Sequence, residues 1–244
     1  MNRQNKKEAI AALHKEQIMK AAERLFSEKG FAQTTINDIS KASEYSRRTI
    51  YTYYESKEDI LHHIVEKGLL ILKQNIEESI KLNEDFMEQY KGICIAMSKY
   101  QKDYSHSANN VNSANSANLD FNSLSDTVKH ILILWTEINN MMEEFIEGGK
   151  NKGIVHPDVV PMMTVYILWS NIDALLVLVQ TKGKFIAKQF SISEKDFLDY
   201  GFRQIINSIL KERVWNEKSH MADISKMRRK NPNSNSRRYN FDKL

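Results

Sequence analysis

Between Ile36 and Leu61 the chain reads INDISKASEYSRRTIYTYYESKEDIL. Arg47 and Arg48 stand side by side, Tyr51, Tyr53 and Tyr54 follow, and Lys57 comes three residues later. A guanidinium can grip a guanine edge through two parallel hydrogen bonds, while threonine and tyrosine hydroxyls suit phosphate oxygens. Lys57 lies where a helix is expected to begin, so its ammonium and the backbone N–H groups there can meet one phosphate together. The chemistry this cluster offers is recognition of duplex nucleic acid. From the local residues alone, a solvated arginine face with tyrosines used for packing is an equally good reading.

Other chemistries find less support. The seven histidines are scattered, and the adjacent pair His62 and His63 must project in different directions from a helix, so no metal site is expected. The single cysteine, Cys94, excludes an intramolecular disulfide and reads as a small core residue. No nucleophile elbow, phosphate loop or paired-carboxylate motif appears, so neither enzyme activity nor a cofactor is expected.

The elements that must position the cluster are helical. Only 8 glycines and 3 prolines punctuate 244 residues, which favours long helices with few turns. Ile18, Ala21, Ala22, Leu25 and Phe26 form one helix face, closed by Gly30, with Phe31 folding back. Thr35 and Asp38 suggest a capping box for a second helix whose Ile36, Ile39 and Ala42 point inward. Ser46 caps a third helix, RRTIYTYY, on which Ile50 and Tyr54 face the core. Ser56 caps a fourth, with Glu58 and Asp59 in its first turn, running to about Lys81. Further helices are predicted over 84–104, from Leu124 to the EGGKNKG turn, over 159–181 and over 193–214. Residues 105–123, rich in Asn and Ser, read as a mobile insert, and the basic tail 215–244 as disordered. The apolar run 165–179 is shorter than a bilayer span and carries Asn171 and Asp173. With no apolar segment at the start of the chain, a cytoplasmic protein is expected. The net charge of +4 is concentrated at the two ends, which suits a polyanionic partner.

The residues from Ile18 to Leu61 resemble the TetR family of bacterial transcriptional regulators. The resemblance is carried by IMKAAERLFSEKGF, TTINDISKAS and SRRTIYTYYESKEDIL, and specifically by Thr35, Ser46, Thr49, Ile50, Tyr51, Tyr53, Tyr54, Lys57, Glu58 and Ile60. It implies an all-α chain. Residues 1–60 would form a three-helix helix-turn-helix domain, and residues 61–214 a helical domain for effector binding and dimerisation. DNA contacts would fall to Thr35, Arg47, Arg48, Thr49, Tyr51, Tyr53 and Lys57. Two departures stand out. Glu44 occupies the turn position where the family usually has Gly, and Tyr53 the position where His is common. The arginine pair replaces smaller residues, which would favour guanine in the operator.

The second half is less distinctive. EGGKNKGIVHPDV and LWSNIDALL look like the family's polar turn and the helix that follows it. That helix, 159–181, is apolar nearly all round and so must be covered on more than one side. Either central burial within one subunit or an intersubunit four-helix bundle with 197–214 would cover it, and a homodimer matched to a palindromic operator favours the second. An effector pocket, implied by the resemblance, is expected around Trp135, Asn139, Met142, Met163, Tyr166, Trp169 and Asn171. Methionine and tryptophan there suit an apolar or aromatic compound. The expected function is a homodimeric repressor released by such an effector. The rival readings are a DNA-bound architectural or cell-division factor that works through a protein partner, and a ligand-sensing coactivator that does not read DNA.

Overall fold

The computed structural model describes residues 3–112 and 121–212. Among these described residues eight α-helices follow one another: α1 (Arg3–Lys29), α2 (Ile36–Ser43), α3 (Arg47–Tyr53), α4 (Lys57–Leu82), α5 (Phe86–Asn112), α6 (Asp126–Asn151), α7 (Pro161–Phe190) and α8 (Glu194–Asn207). The described residues contain no strand, only an isolated antiparallel bridge between Val155 and Leu210.

Local signals set the first four helices. Gly30 leaves α1 at φ 85°, and Phe31 turns back so that its ring meets Phe26 edge-on at 5.1 Å. Thr35 and Asp38 close a reciprocal capping box at the start of α2. Ser46 and Ser56 accept the backbone N–H groups of Thr49 and Asp59 at the starts of α3 and α4. Ile39, Ile50 and Tyr54 are buried as their spacing requires, together with Ile18, Ala22 and Phe26 of α1. Ile36 and Ala42 are only half-buried.

From α4 onward the helices form a bundle. Helix α4 packs on α5 and α6, α6 on α7, and α7 on α8. Gly68 lets α5 come close: a Cβ there would lie 2.7 Å from Cγ of Tyr104. Three expectations need correction. Helix α8 ends at Asn207, seven residues short of the predicted 214, and Leu210 beyond it pairs with Val155. Helix α5 continues to Asn112, eight residues into the expected insert. A helix already nucleated on a buried face extends through Ser, Ala and Asn at small cost per residue. Residues 113–120 and the tail 215–244 lie outside the described residues. Helix α7 runs nine residues past Thr181 to Phe190, and so is long and apolar enough to cross a bilayer. One side of it packs in the bundle through Val165, Leu168, Ile172 and Leu176.

Candidate nucleic-acid interface

Helix α3 is held from beneath by Ile50 and Tyr54, 0% and 4% exposed. The Tyr54 hydroxyl donates to the Lys15 carbonyl at 3.0 Å, and burial pushes its phenol up to about 12, so it stays a donor. With these two residues fixed, helical geometry turns Arg47, Arg48, Tyr51 and Thr52 outward, and all four are exposed. Neither arginine has an ion-pair partner among the described residues. The result is a rigid short helix with two free guanidinium forks and a phenol on its outer surface.

The remaining expected contacts are more constrained. The Thr35 hydroxyl donates to Asp38 Oδ2 at 2.7 Å and accepts the Asp38 N–H at 3.2 Å, so it serves α2 first. Lys29 beside Asp38, with the Thr35 bonds, holds that carboxyl well below the usual carboxylate range. Thr49 Oγ1 lies 2.8 Å from Ser46 Oγ. Tyr53 is half-buried, its hydroxyl 3.0 Å from Nδ1 of His14. Tyr45, at the turn, hydrogen-bonds Gln17 of α1. The Lys57 ammonium donates to the Phe31 and Thr34 carbonyls, both at 2.9 Å, and sits 4.2 Å over the Phe31 ring. Two of its three N–H donors are therefore committed to the α1–α2 loop, leaving one for a phosphate. Glu44 adopts the left-handed conformation, φ 62°, where a side chain is disfavoured.

In the bundle, the residues singled out for an effector do not converge. Met142 is fully buried, and Trp135 meets the Tyr100 ring edge-on. Trp169 Nε1 donates to Asn139 Oδ1 at 2.9 Å across α6 and α7. Met163 and Tyr166 lie on the exposed side of α7, at 68% and 59% exposure, and Asn171 is exposed with its amide on the Ile167 carbonyl. A groove of about 570 Å³ opens instead between α4, α5 and α6. Its apolar floor includes Ile80, Phe86, Met141 and Phe145, with Phe86 and Phe145 stacked at 4.4 Å. Lys73 and Glu137 join α4 to α6 at its edge, 2.8 Å apart. Of the expected α6 residues, Asn139 and Met142 sit one position from the groove residues Asn140 and Met141, and Trp135 two from Glu137, so all three fall outside the groove. The readable signal was the stripe Glu137, Asn140, Met141, Glu144 and Gly148, at helical spacing and of mixed polarity.

Comparison with known proteins agrees with this geometry. Residues 18–64 match the model of bacterial regulatory proteins, tetR family. An uncharacterized HTH-type transcriptional regulator of Bacillus subtilis, YvaF, is 38% identical over 76 residues, covering 30% of this chain and 39% of its own. IcaR of Staphylococcus epidermidis, a negative transcriptional regulator of a biofilm operon, is 42% identical over 52 residues, covering 21% and 28%. The chain therefore spans well under half the length of either relative. FadR of Bacillus subtilis, solved with stearoyl-CoA, shares the fold at TM-score 0.61 and 18% identity, covering 80% of this chain and 98% of that one. The capped helix-turn-helix thus lies within a segment, residues 18–64, that matches the tetR family of bacterial regulatory proteins, and the chain as a whole shares its fold with FadR.

Proposed function

We propose that the protein is a homodimeric, sequence-specific transcriptional repressor released from its operator by a small molecule. The observation that carries this reading is α3: an anchored, capped helix with Arg47 and Arg48 exposed and free to meet base edges. Tyr51 is added as an exposed phosphate partner, while Thr35, Thr49, Tyr53 and Lys57 act mainly by fixing the helix and its backbone N–H groups against the phosphates. The negative regulator among the relatives supports repression over activation.

The exposed side of α7 supports a dimer. Met163, Tyr166, Ile167, Val177, Leu178 and Phe185 share that side. A contiguous apolar surface of this kind normally meets a partner, and a second copy pairs it isologously. Met163, Tyr166 and Asn171 are assigned to this contact rather than to an effector. The effector is assigned to the groove between α4, α5 and α6, whose volume lies in the usual range for small ligands. An apolar or aromatic body would lie on its floor. Insertion at the Lys73–Glu137 edge would move α4 and the helix-turn-helix attached to it, so that two half-sites are no longer met together. A strong switch needs a preference of about 5 kcal/mol for the released state.

The test is selection from a random duplex library with purified protein, followed by sequencing. An enriched palindrome containing guanine in each half-site supports the reading. Retention that is salt-sensitive but sequence-independent would overturn it and favour a protein-partner role.

A further inference from the structure

A second polar link joins α4 to α6, nearer the DNA-binding end than the Lys73–Glu137 pair. The Glu66 carboxylate lies between two imidazoles. Its Oε1 is 2.6 Å from Nδ1 of His130 on α6, and its Oε2 is 3.2 Å from Nδ1 of His63 on α4. His63 Nε2 in turn lies 3.7 Å from Asp59 Oδ1, and Asp59 Oδ2 accepts the backbone N–H of Glu55 at 2.9 Å. A continuous polar chain thus runs from the α3–α4 junction, along α4, to α6. The Glu66 and Asp59 side chains are one-fifth exposed, while His63 and His130 are 30% and 46% exposed, so water reaches the imidazole side of these contacts and screens them in part.

The surroundings of this chain are mixed in charge. On α4, burial lowers the pKa of His62, against the carboxylates of Asp59 and Glu58, which raise it. Lys67, on the neighbouring face, is engaged by Glu16 of α1 at 3.0 Å. On α6, Lys129 is paired with Asp126 at 3.7 Å. From α3, the Tyr54 ring meets His63 edge-on at 5.4 Å. Each contact of Glu66 is ionic only when the facing imidazole carries a proton. Imidazole is the side chain that changes charge nearest neutrality. A charged hydrogen bond is also stronger than the neutral one that remains after deprotonation.

We propose that Glu66 is a positioning residue, clasped to His130 and His63, that fixes the DNA-binding domain on the bundle and makes operator affinity respond to pH near neutrality. The inference rests on the DNA-binding reading above. Protonation tightens α4 on α6, and deprotonation frees α4 to tilt.

The experiment measures affinity for the selected palindrome at pH 6 and pH 8 at constant ionic strength. It compares the wild type, Glu66→Gln, His130→Gln and a control, His156→Gln, whose imidazole lies outside the clasp beside Asp158. Glutamine at 130 can still donate to Glu66 but cannot titrate. The wild type and the control should show a pH ratio about fivefold larger than His130→Gln. A merely structural Glu66–His130 contact would leave all the profiles parallel, and that result overturns the proposal. Thermal unfolding without DNA is followed in parallel. The stability gap between wild type and His130→Gln should be larger at pH 6 than at pH 8, and an equal gap also overturns the clasp. Absence of palindrome binding at every pH would instead sink the DNA-binding reading, while the unfolding gap still decides the clasp.

Discussion

The helix-turn-helix and the bundle are built by different means. Helices α2 and α3, of 8 and 7 residues, are too short to persist alone. They are specified residue by residue, through the Thr35–Asp38 box, the Ser46 cap, the Lys57 ammonium on two carbonyls and the Ile50 and Tyr54 anchors. The bundle helices, of 26 to 30 residues from α4 to α7, rest on long apolar faces in which many residues can substitute for one another. Where each side chain has an individual task, residue identity is constrained and function can be read. Where a face has a collective task, the pattern gives the helix but leaves its partner and its pocket open.

The sharpest way to break this contrast is to empty the position beneath the recognition helix. Ile50→Ala should cost about 2–5 kcal/mol in urea unfolding, because Ile50 is fully buried. It should also abolish operator binding before the bundle unfolds; loss of both together would mean that the two regions are not separately specified. In the bundle, Gly68→Ala tests one of several close approaches that depend on a single glycine. Alanine is the better helix former by about 1 kcal/mol, yet its Cβ would meet the Tyr104 ring at 2.7 Å. A net destabilisation of about 1–3 kcal/mol in thermal unfolding is expected. A gain in stability would mean that α5 simply shifts.

Glu44→Gly removes a left-handed strain and should stabilise the DNA-binding domain by about 1 kcal/mol in chemical denaturation. The smallest effect concerns the α2 cap. The Asp38 carboxyl is held low by Lys29 and Thr35, so its contribution is present above the ordinary carboxylate value and is lost as pH falls through and below it. Melts of wild type and Asp38→Asn should therefore differ most at pH 7, and the gap should narrow progressively as pH falls below about 4. A constant difference would mean that the cap acts through shape rather than charge.

Much of the first region was legible because its signals are local. A capping box, a closing glycine and an aliphatic–aromatic pair four residues apart each act within one or two turns. Glu44, read as a departure from glycine, does adopt positive φ. The role of Lys57 was harder to see, because the Phe31 and Thr34 carbonyls that hold it lie 26 and 23 positions earlier in the chain. In the bundle, the spacing that put Met163 and Tyr166 in a pocket is the same spacing that puts them on the exposed side of α7. Periodicity fixes which residues share a face, not what covers it. The groove and the Glu66–His130 contact need two helices from distant segments to meet, and no single stretch records that.

The most direct test of the account is the ratio of specific to nonspecific affinity, measured at one salt concentration on the selected palindrome and on a scrambled duplex, for the wild type and Arg48→Ala. The account predicts that the substitution weakens binding to the palindrome by about 1–3 kcal/mol while changing the scrambled duplex far less, so that the ratio collapses. An equal loss on both duplexes would contradict it, and would leave Arg47 and Arg48 as a charged surface that meets phosphates without reading bases.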